Sequence, residues 1–127
     1  MSGSVNTNAS FLIAVVDDDR SICEALESLL KSIGFRTATF TSASDFLGSP
    51  QLLDVSCAIL DVSMPNMNGI ELQRHLIATY QIPIIFITAY ANGSLEQQVM
   101  RAGAIRLLKK PFTDEALIDA LDTALGV

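Results

Sequence analysis

Five short apolar runs alternate with five segments whose apolar residues recur at helical spacing, and this alternation constrains the fold more than any other feature. The apolar runs cover residues 11–16, 35–40, 57–60, 82–87 and 104–108. The runs at 11–16, 57–60 and 82–87 contain no charged residue, which is typical of strands buried on both faces. The segments 19–33, 42–47, 69–80, 94–102 and 113–125 predict helices. The sequence therefore predicts an α/β fold, a doubly wound (βα)5 sheet of five parallel strands.

Length and charge narrow the class of protein. The chain has 127 residues, half of them apolar, and 14 acidic against 8 basic residues give a formal charge of −6. This fits one domain, residues 11–127, and excludes a two-domain enzyme or a disordered chain. Residues 1–10 are small and polar, which predicts a flexible N-terminal tail rather than a signal peptide. The chain lacks a long apolar run and a basic cluster, so we expect it to bind neither membrane nor nucleic acid directly.

The cysteines and the single histidine predict no chemistry of their own. Cys23 falls in a predicted helix and Cys57 in a predicted strand, without the spacing of a metal site. We interpret them as buried thiols in a reducing, cytoplasmic compartment. His75 lies among polar residues of a predicted helix, so we expect it at the surface.

Polar side chains end four of the five predicted strands. Asp17, Asp18 and Asp19 follow the first strand, Asp61 the third, Thr88 the fourth and Lys110 the fifth. The carboxyl ends of parallel strands meet at one rim of the sheet, where such folds bind ligands. Asp19 alone is equally well placed to cap the following helix.

Carboxylates brought together in this way need positive charge beside them. Their hard oxygens suit Mg²⁺, which binds through one or two carboxylates, waters and phosphate oxygens. Asp17, Asp18 and Asp61 would balance one Mg²⁺ and the ammonium of Lys110. A phosphoryl group in transfer would then meet both cations.

Four motifs at these positions are similar to those of a known family. They are Val-Val-Asp-Asp-Asp at 15–19, Leu-Asp-Val-Ser-Met-Pro-Asn-Met-Asn-Gly at 60–69, Phe-Ile-Thr-Ala at 86–89 and Lys-Lys-Pro-Phe at 109–112. Together they resemble the receiver domain of two-component response regulators, most closely the FixJ/NarL type. The resemblance covers about residues 11–126 and implies the flavodoxin-like, CheY-like strand order 2-1-3-4-5.

The resemblance implies a role for each site residue. Asp61 would be the phosphoacceptor, a nucleophile that takes a phosphoryl group from a phosphohistidine. Mg²⁺ (or Mn²⁺) would bind Asp18, Asp61 and the backbone carbonyl of Ser63 directly, and Asp17 through water. Lys110 would pair with the carboxylate and then with a phosphoryl oxygen, and the Lys110–Pro111 bond would be cis.

Two further pairs of residues take implied roles around the phosphoryl group. Thr88 and the backbone N–H of Ala89 would donate hydrogen bonds to it. Ser63 and Tyr90 would flank the path of the water that slowly hydrolyses the acyl phosphate.

The resemblance also implies the partners. A sensor histidine kinase or a phosphotransfer protein would supply the phosphoryl group. The face formed by the fourth helix, fifth strand and fifth helix would pair two copies as a homodimer. The output would be transcriptional, through an attached or separate domain, and a stand-alone receiver and the front of a longer regulator both remain open.

Two segments depart from the family pattern. Leu107 stands where the family places an aromatic residue, so the usual coupled movement of that ring and Thr88 has no ring to use. The segment Ala91-Asn92-Gly93-Ser94 lacks an obvious helix start, and we expect a mobile connection there.

Three other functions compete with that of a phosphorylated receiver. A pseudo-receiver would bind partners without phosphorylation. A haloacid-dehalogenase-type phosphatase would use Asp17 as its nucleophile and leave Asp61 and Thr88 without roles. A flavodoxin-like FMN binder needs a polar phosphate loop where this chain places three acids.

Overall fold

The computed structural model describes residues 7–64 and 67–127, and within them strands and helices alternate as expected. The strands are β1 Leu12–Val16, β2 Arg36–Phe40, β3 Cys57–Asp61, β4 Ile84–Thr88 and β5 Arg106–Lys109. The helices are α1 Arg20–Ser32, α2 Ala43–Leu47, α3 Gly69–His75, α4 Gly93–Arg101 and α5 Asp114–Leu125. The predicted order of elements is confirmed.

All five strands are parallel and lie in the order β2-β1-β3-β4-β5, which confirms the doubly wound topology. The three central strands, β1, β3 and β4, are buried along their whole length. This burial on both faces explains why their sequences are continuous apolar runs. The edge strands β2 and β5 are only partly buried.

The sheet separates two apolar layers. Ile13, Val15, Ile59 and Ile87 point toward α1 and α5, where Leu30 and Leu117 cover them. Their neighbours along the strands point to the other face, toward α2, α3 and α4. The residues buried there include Leu60 and Phe86 of the sheet, Phe46 of α2, Leu72 of α3 and Val99 of α4.

Each of the five helices begins at a capping side chain that accepts a backbone N–H. The caps are Asp19, Ser42, Asn68, Asn92 and Thr113. Asp19 therefore does cap α1, accepting from the N–H of Ser21 at 2.9 Å. Asn92 corrects one expectation: the 91–94 segment contains a regular helix start, because Asn92 accepts the N–H of Leu95 at 2.8 Å.

The end of the third helix differs from the prediction of one helix over 69–80. Regular α-helix stops at His75, and Leu76–Tyr80 continue as a π-helical turn. Gln81 then takes a left-handed conformation, with φ of 56°. The chain reaches β4 two residues later than the apolar run suggests, because the ladder begins only at Ile84.

Part of the segment predicted as an N-terminal tail has secondary structure and hydrogen bonds to the rest of the chain. Thr7–Ser10, part of the expected tail, form a 3₁₀ turn. The guanidinium of Arg36 donates to the carbonyls of Ala9 and Ser10, and the Asn8 amide donates to Ile33. Residues 1–6 of the expected tail, and residues 65 and 66 of the turn before α3, lie outside the described residues.

Cys23 and Cys57 are buried and unpaired, as expected, and burial raises the pKa of the Cys57 thiol to about 12. His75 is exposed. Among the described residues, no helix is both long and apolar enough to span a bilayer.

Candidate functional site

Three carboxylates meet at the carboxyl rim of the sheet. Asp17 and Asp18 follow β1, and Asp61 ends β3, the strand beside it. One oxygen from each lies within 4.8 Å of the others. Asp17 and Asp61 are buried and Asp18 is exposed, so the cluster opens to solvent on one side. The predicted convergence of these residues is what the structure shows.

Lys110 supplies the positive charge within the cluster. Its ammonium Nζ lies 2.9 Å from Oδ2 of Asp17 and 3.7 Å from Oδ1 of Asp61. The backbone holds the lysine in place, because its N–H donates to the carbonyl of Thr88 at 2.7 Å. The following peptide bond to Pro111 is cis, as the family resemblance implied.

The two buried carboxylates are not equivalent. Both oxygens of Asp17 are engaged, Oδ2 by Lys110 and Oδ1 by the backbone N–H of Asp19 at 2.9 Å. The Asp61 contacts, from the N–H of Ser63 at 3.3 Å and from Lys110, both use Oδ1. Within residues 7–64 and 67–127, Oδ2 of Asp61 therefore receives no donor. Asp17 positions the lysine, and Asp61 presents a free oxygen.

Burial and repulsion shift the protonation of Asp61. Its burial, followed by the charge of Asp17, raises the pKa of the carboxyl to about 6, although Lys110 and the Ser63 N–H act against the shift. For Lys110, burial alone would lower the ammonium pKa. The hydrogen bond to Asp17 and the charges of Asp17 and Asp61 outweigh burial, so the pKa of Lys110 is raised. The site therefore stores uncompensated negative charge near neutral pH, which a cation would relieve.

The donor set fits Mg²⁺. Three carboxylate oxygens at one rim are hard ligands, and the exposed position of Asp18 leaves space for the waters that Mg²⁺ retains. The raised pKa of Asp61 comes first from its burial and then from the charge of Asp17, and a bound cation would oppose both. Asp17, Asp18 and Asp61 are thus the residues able to hold a divalent cation.

The fourth strand contributes a hydroxyl at the same rim of the sheet. Thr88 ends β4, which pairs with β3 so that Asp61 stands opposite Ile87. The Thr88 side chain is buried, and its Oγ1 accepts the N–H of Tyr90 at 3.2 Å. Ala89 and the ring of Tyr90 are exposed at the same rim, as is Ser63 after β3.

Leu107 lies in β5, three residues before Lys110. It pairs in register with Phe86 of β4 and packs, half-buried, against the layer that contains Phe86. Phe86 itself is fully buried. The aromatic ring in this part of the core therefore belongs to β4 rather than to β5.

Two features of the site were not predicted from the sequence. The first is the close approach of α3: a Cβ at Gly69 would stand 2.5 Å from the carbonyl oxygen of Asp61 and 2.9 Å from the Phe86 ring. The second is an apolar groove of about 390 Å³ next to Lys110. Its walls are Ile22, Ala25, Leu26 and Leu29 of α1 and Pro111 and Phe112 after β5.

Comparison with known proteins agrees with this geometry. A family model described as the response regulator receiver domain matches residues 13–122. The response regulator protein TmoT of Ectopseudomonas mendocina is 45% identical over 115 residues, which cover 90% of this chain and 52% of TmoT. The transcriptional regulatory protein FixJ of Azorhizobium caulinodans is 37% identical over 118 residues, or 92% of this chain and 56% of FixJ. The chain spans about half the length of the curated relatives it matches.

Solved structures show the same architecture. The structure titled FixJ-N superposes with a TM-score of 0.81 at 32% identity, covering 91% of this chain and 94% of that one. The Vibrio cholerae chemotaxis protein CheY4 superposes with a TM-score of 0.83 at 28% identity, over 92% and 100% of the two chains.

Proposed function

Since the chain belongs to the family of response regulator receiver domains, we propose that it is phosphorylated on Asp61 by a histidine-kinase partner and thereby switches an output. Receiver domains act in two-component signalling, and relatives of this chain are named transcriptional regulators.

The observation that carries the proposal is the free Oδ2 of Asp61. A nucleophilic carboxylate needs one oxygen that is not already bound, with positive charge nearby. Asp61 has that oxygen, and Lys110 lies 3.7 Å from its other one. Asp17 is the poorer nucleophile because both of its oxygens are engaged.

The proposed reaction is an in-line displacement. Oδ2 of Asp61 forms a bond to phosphorus while the bond from phosphorus to the donor histidine nitrogen breaks, so an acyl phosphate and a free imidazole result. Such transfers depend on positioning and charge neutralisation rather than on a general base. Lys110 neutralises charge on the carboxylate and on the phosphoryl oxygens. The hydroxyl of Thr88 and the N–H of Ala89 donate to the transferred group.

Mg²⁺, or Mn²⁺, would be held by Asp18, Asp61 and the Ser63 carbonyl, with Asp17 acting through water. Bound there, it would supply positive charge to the phosphoryl oxygens. Hydrolysis of the acyl phosphate by water ends the signal, and Ser63 and Tyr90 flank the approach of that water. We therefore class the chain as a signalling module that modifies itself, not as a turnover enzyme.

The groove beside Lys110 suits the phosphodonor. A protein that brings a phosphohistidine to Asp61 must rest on the surface around the pocket, and the groove is apolar and adjoins Lys110. We expect Ala25→Arg, at the exposed edge of the groove, to slow transfer from a phosphodonor protein at least tenfold. Labelling by acetyl phosphate should stay unchanged. Ser28→Arg, on the exposed side of α1, is the matched control.

The output face is proposed to be α4, β5 and α5. Met100 on α4 is partly exposed, and Arg106 of β5 forms an ion pair with Asp119 of α5 at 3.3 Å. We propose that this face pairs two copies after phosphorylation. Analytical ultracentrifugation with and without beryllofluoride, a phosphoryl mimic, tests this pairing. An unchanged sedimentation coefficient on adding beryllofluoride contradicts a homodimer formed after phosphorylation.

The central test is labelling by acetyl phosphate in Mg²⁺. The wild-type chain should acquire an acid-stable, base-labile phosphate that is absent from Asp61→Asn. Asp19→Asn is the matched control, because Asp19 lies outside the carboxylate cluster and Asn also caps a helix. Label that persists in Asp61→Asn or moves to Asp17 would refute the assignment. No label at all would favour a pseudo-receiver.

A further inference from the structure

Gln73 is a buried polar residue of α3 whose side chain contacts α4. It is buried in the middle of α3, on the same helix face as Gly69 and near Leu72 and Leu76. Its amide Nε2 donates to the carbonyl of Val99 in α4 at 3.1 Å. In the described part of the chain, its other amide atom, Oε1, is buried without a hydrogen-bond partner. A buried amide that satisfies only half of its hydrogen-bonding capacity needs an explanation beyond packing.

The carbonyl of Val99 lies near the end of α4, where the chain leaves the helix and continues toward β5. Besides the Gln73 amide, this oxygen accepts the backbone N–H of Ala104 at 3.0 Å. Ala104 leads directly into Arg106–Lys109, the β5 strand that contains Leu107. Gln73 therefore holds the junction of the two elements that form the proposed output face.

Helix α4 has little else to hold it in place. Val99 is its one fully buried residue, and Leu95 is partly buried. A Cβ placed on Gly103, just beyond α4, would lie 3.1 Å from the side chain of Ile77. The end of α4 therefore also packs against the turn that follows α3. A helix with so few buried contacts belongs to the parts of a fold that unfold locally at the lowest free-energy cost.

The other end of α3 touches the phosphoacceptor. The Gly69 N–H donates to the Val62 carbonyl at 2.9 Å, and the position of its missing Cβ is 2.5 Å from the Asp61 carbonyl. Gly69 and Gln73 are four residues apart, one helical turn, so a rigid turn of α3 connects the backbone of Asp61 to the end of α4.

We propose that Gln73 is a positioning residue that couples the state of Asp61 to the α4–β5 face. When α3 shifts relative to Asp61, the Gln73 amide moves the carbonyl of Val99 with it. The unpartnered Oε1 of Gln73 then allows α4 a second position, in which this oxygen accepts a hydrogen bond. This route does not need the aromatic ring that Leu107 replaces. The inference rests on the proposed phosphorylation of Asp61 and identifies how this chain transmits it.

The test compares loading at Asp61 with the response of α4–β5. Wild type, Gln73→Met and the control Gln97→Met, an exposed residue of α4, are each given Mg²⁺ and beryllofluoride. Amide hydrogen exchange is measured over residues 93–109, and acetyl phosphate labelling is measured separately. We expect loading within twofold in all three. The exchange response should fall by more than half in Gln73→Met alone.

A second measurement needs no variant to fold. In the wild type, the side-chain amide NMR signal of Gln73 should shift on loading with beryllofluoride, while that of Gln51, which is exposed and lies outside α3, α4 and β5, stays in place. An unmoved Gln73 signal, or a full exchange response in Gln73→Met, overturns the inference while leaving phosphorylation intact. Absence of acetyl phosphate labelling in the wild type overturns the proposed function itself, and the inference with it.

Discussion

Helices α3 and α4 begin with the same two residues but lie in different surroundings. Asn68-Gly69 starts α3 and Asn92-Gly93 starts α4, and each asparagine accepts the N–H three residues on, at 2.9 and 2.8 Å. Gly69 is buried against the Asp61 carbonyl, whereas a Cβ on Gly93 would meet nothing within 4 Å. The same Asn-Gly capping signal therefore starts α3, which packs against the site, and α4, whose first residue makes no such contact.

The difference shows how one sheet can hold a rigid site and a responsive surface. Leu72 and Leu76 carry the third helical segment into the core, while α4 buries only Val99 completely. A helix held at its start and along its length transmits displacement, and a helix held at one point is able to change its position.

The largest expected effect comes from removing the core anchor of each helix. Leu72→Ala should lower the free energy of unfolding by about 2–5 kcal/mol, and Val99→Ala by about 1–3 kcal/mol because a smaller side chain is lost. Urea titration gives both values. Native-state hydrogen exchange should show α4 opening locally in Val99→Ala but only global opening in Leu72→Ala. Equal local opening of both helices would contradict the comparison.

The two glycines test the contact with the site. Gly69→Ala should cost about 1–3 kcal/mol of stability, since the new methyl forces the backbone of Asp61 to move. Acetyl phosphate labelling should fall as well. Gly93→Ala should leave labelling unchanged and alter stability by no more than about 1 kcal/mol, in the stabilising direction. Similar losses in both variants would show that the burial of Gly69 is unimportant.

The raised pKa of Asp61, the carboxylate beside the start of α3, predicts that the stability of the protein depends on pH. Because the pKa of Asp61 is raised from 3.8 to about 6, the native state binds more protons than the unfolded chain between these values. Stability from this group is therefore present at low pH and is lost as the pH rises through about 6. With a chelator present, Asp61→Asn should be more stable than wild type by about 1–2 kcal/mol at pH 7.5.

That advantage should disappear near pH 4, and added Mg²⁺ should stabilise wild type more than Asp61→Asn. Thermal melts across the pH range measure it. Glu96→Gln, in the first turn of α4 and exposed, is the matched control and should stay within about 0.5 kcal/mol of wild type at every pH. A constant difference between Asp61→Asn and wild type at all pH values would contradict the proposed linkage.

The smallest effects belong to the caps. Asn68→Ala and Asn92→Ala should each cost about 1 kcal/mol, because each leaves one backbone N–H without its acceptor. Labelling kinetics should separate them: Asn68→Ala slows phosphorylation of Asp61, and Asn92→Ala does not. If Asn92→Ala slows labelling as much as Asn68→Ala, the start of α4 is also part of the site.

Much of the fold followed from local patterns. Runs rich in apolar residues predicted the strands, and the polar residues that end them predicted the rim where Asp17, Asp18, Asp61 and Lys110 meet. The Asn-Gly pair in the 91–94 segment is also a turn signal, so only the capping geometry of Asn92 identifies it as a helix start. The sequence signal for Gln73 is a polar residue within the apolar stripe of α3.

The sequence by itself determined the order of elements, the parallel sheet and the set of charged residues at its rim, because each depends on the periodicity of neighbouring residues. Only the tertiary structure decided which carboxylate keeps a free oxygen, how closely Gly69 approaches Asp61, and that Gln73 reaches Val99. These relations join residues up to 93 positions apart, as in the pair of Asp17 and Lys110. They depend on how helices are set against the sheet, which no local pattern specifies.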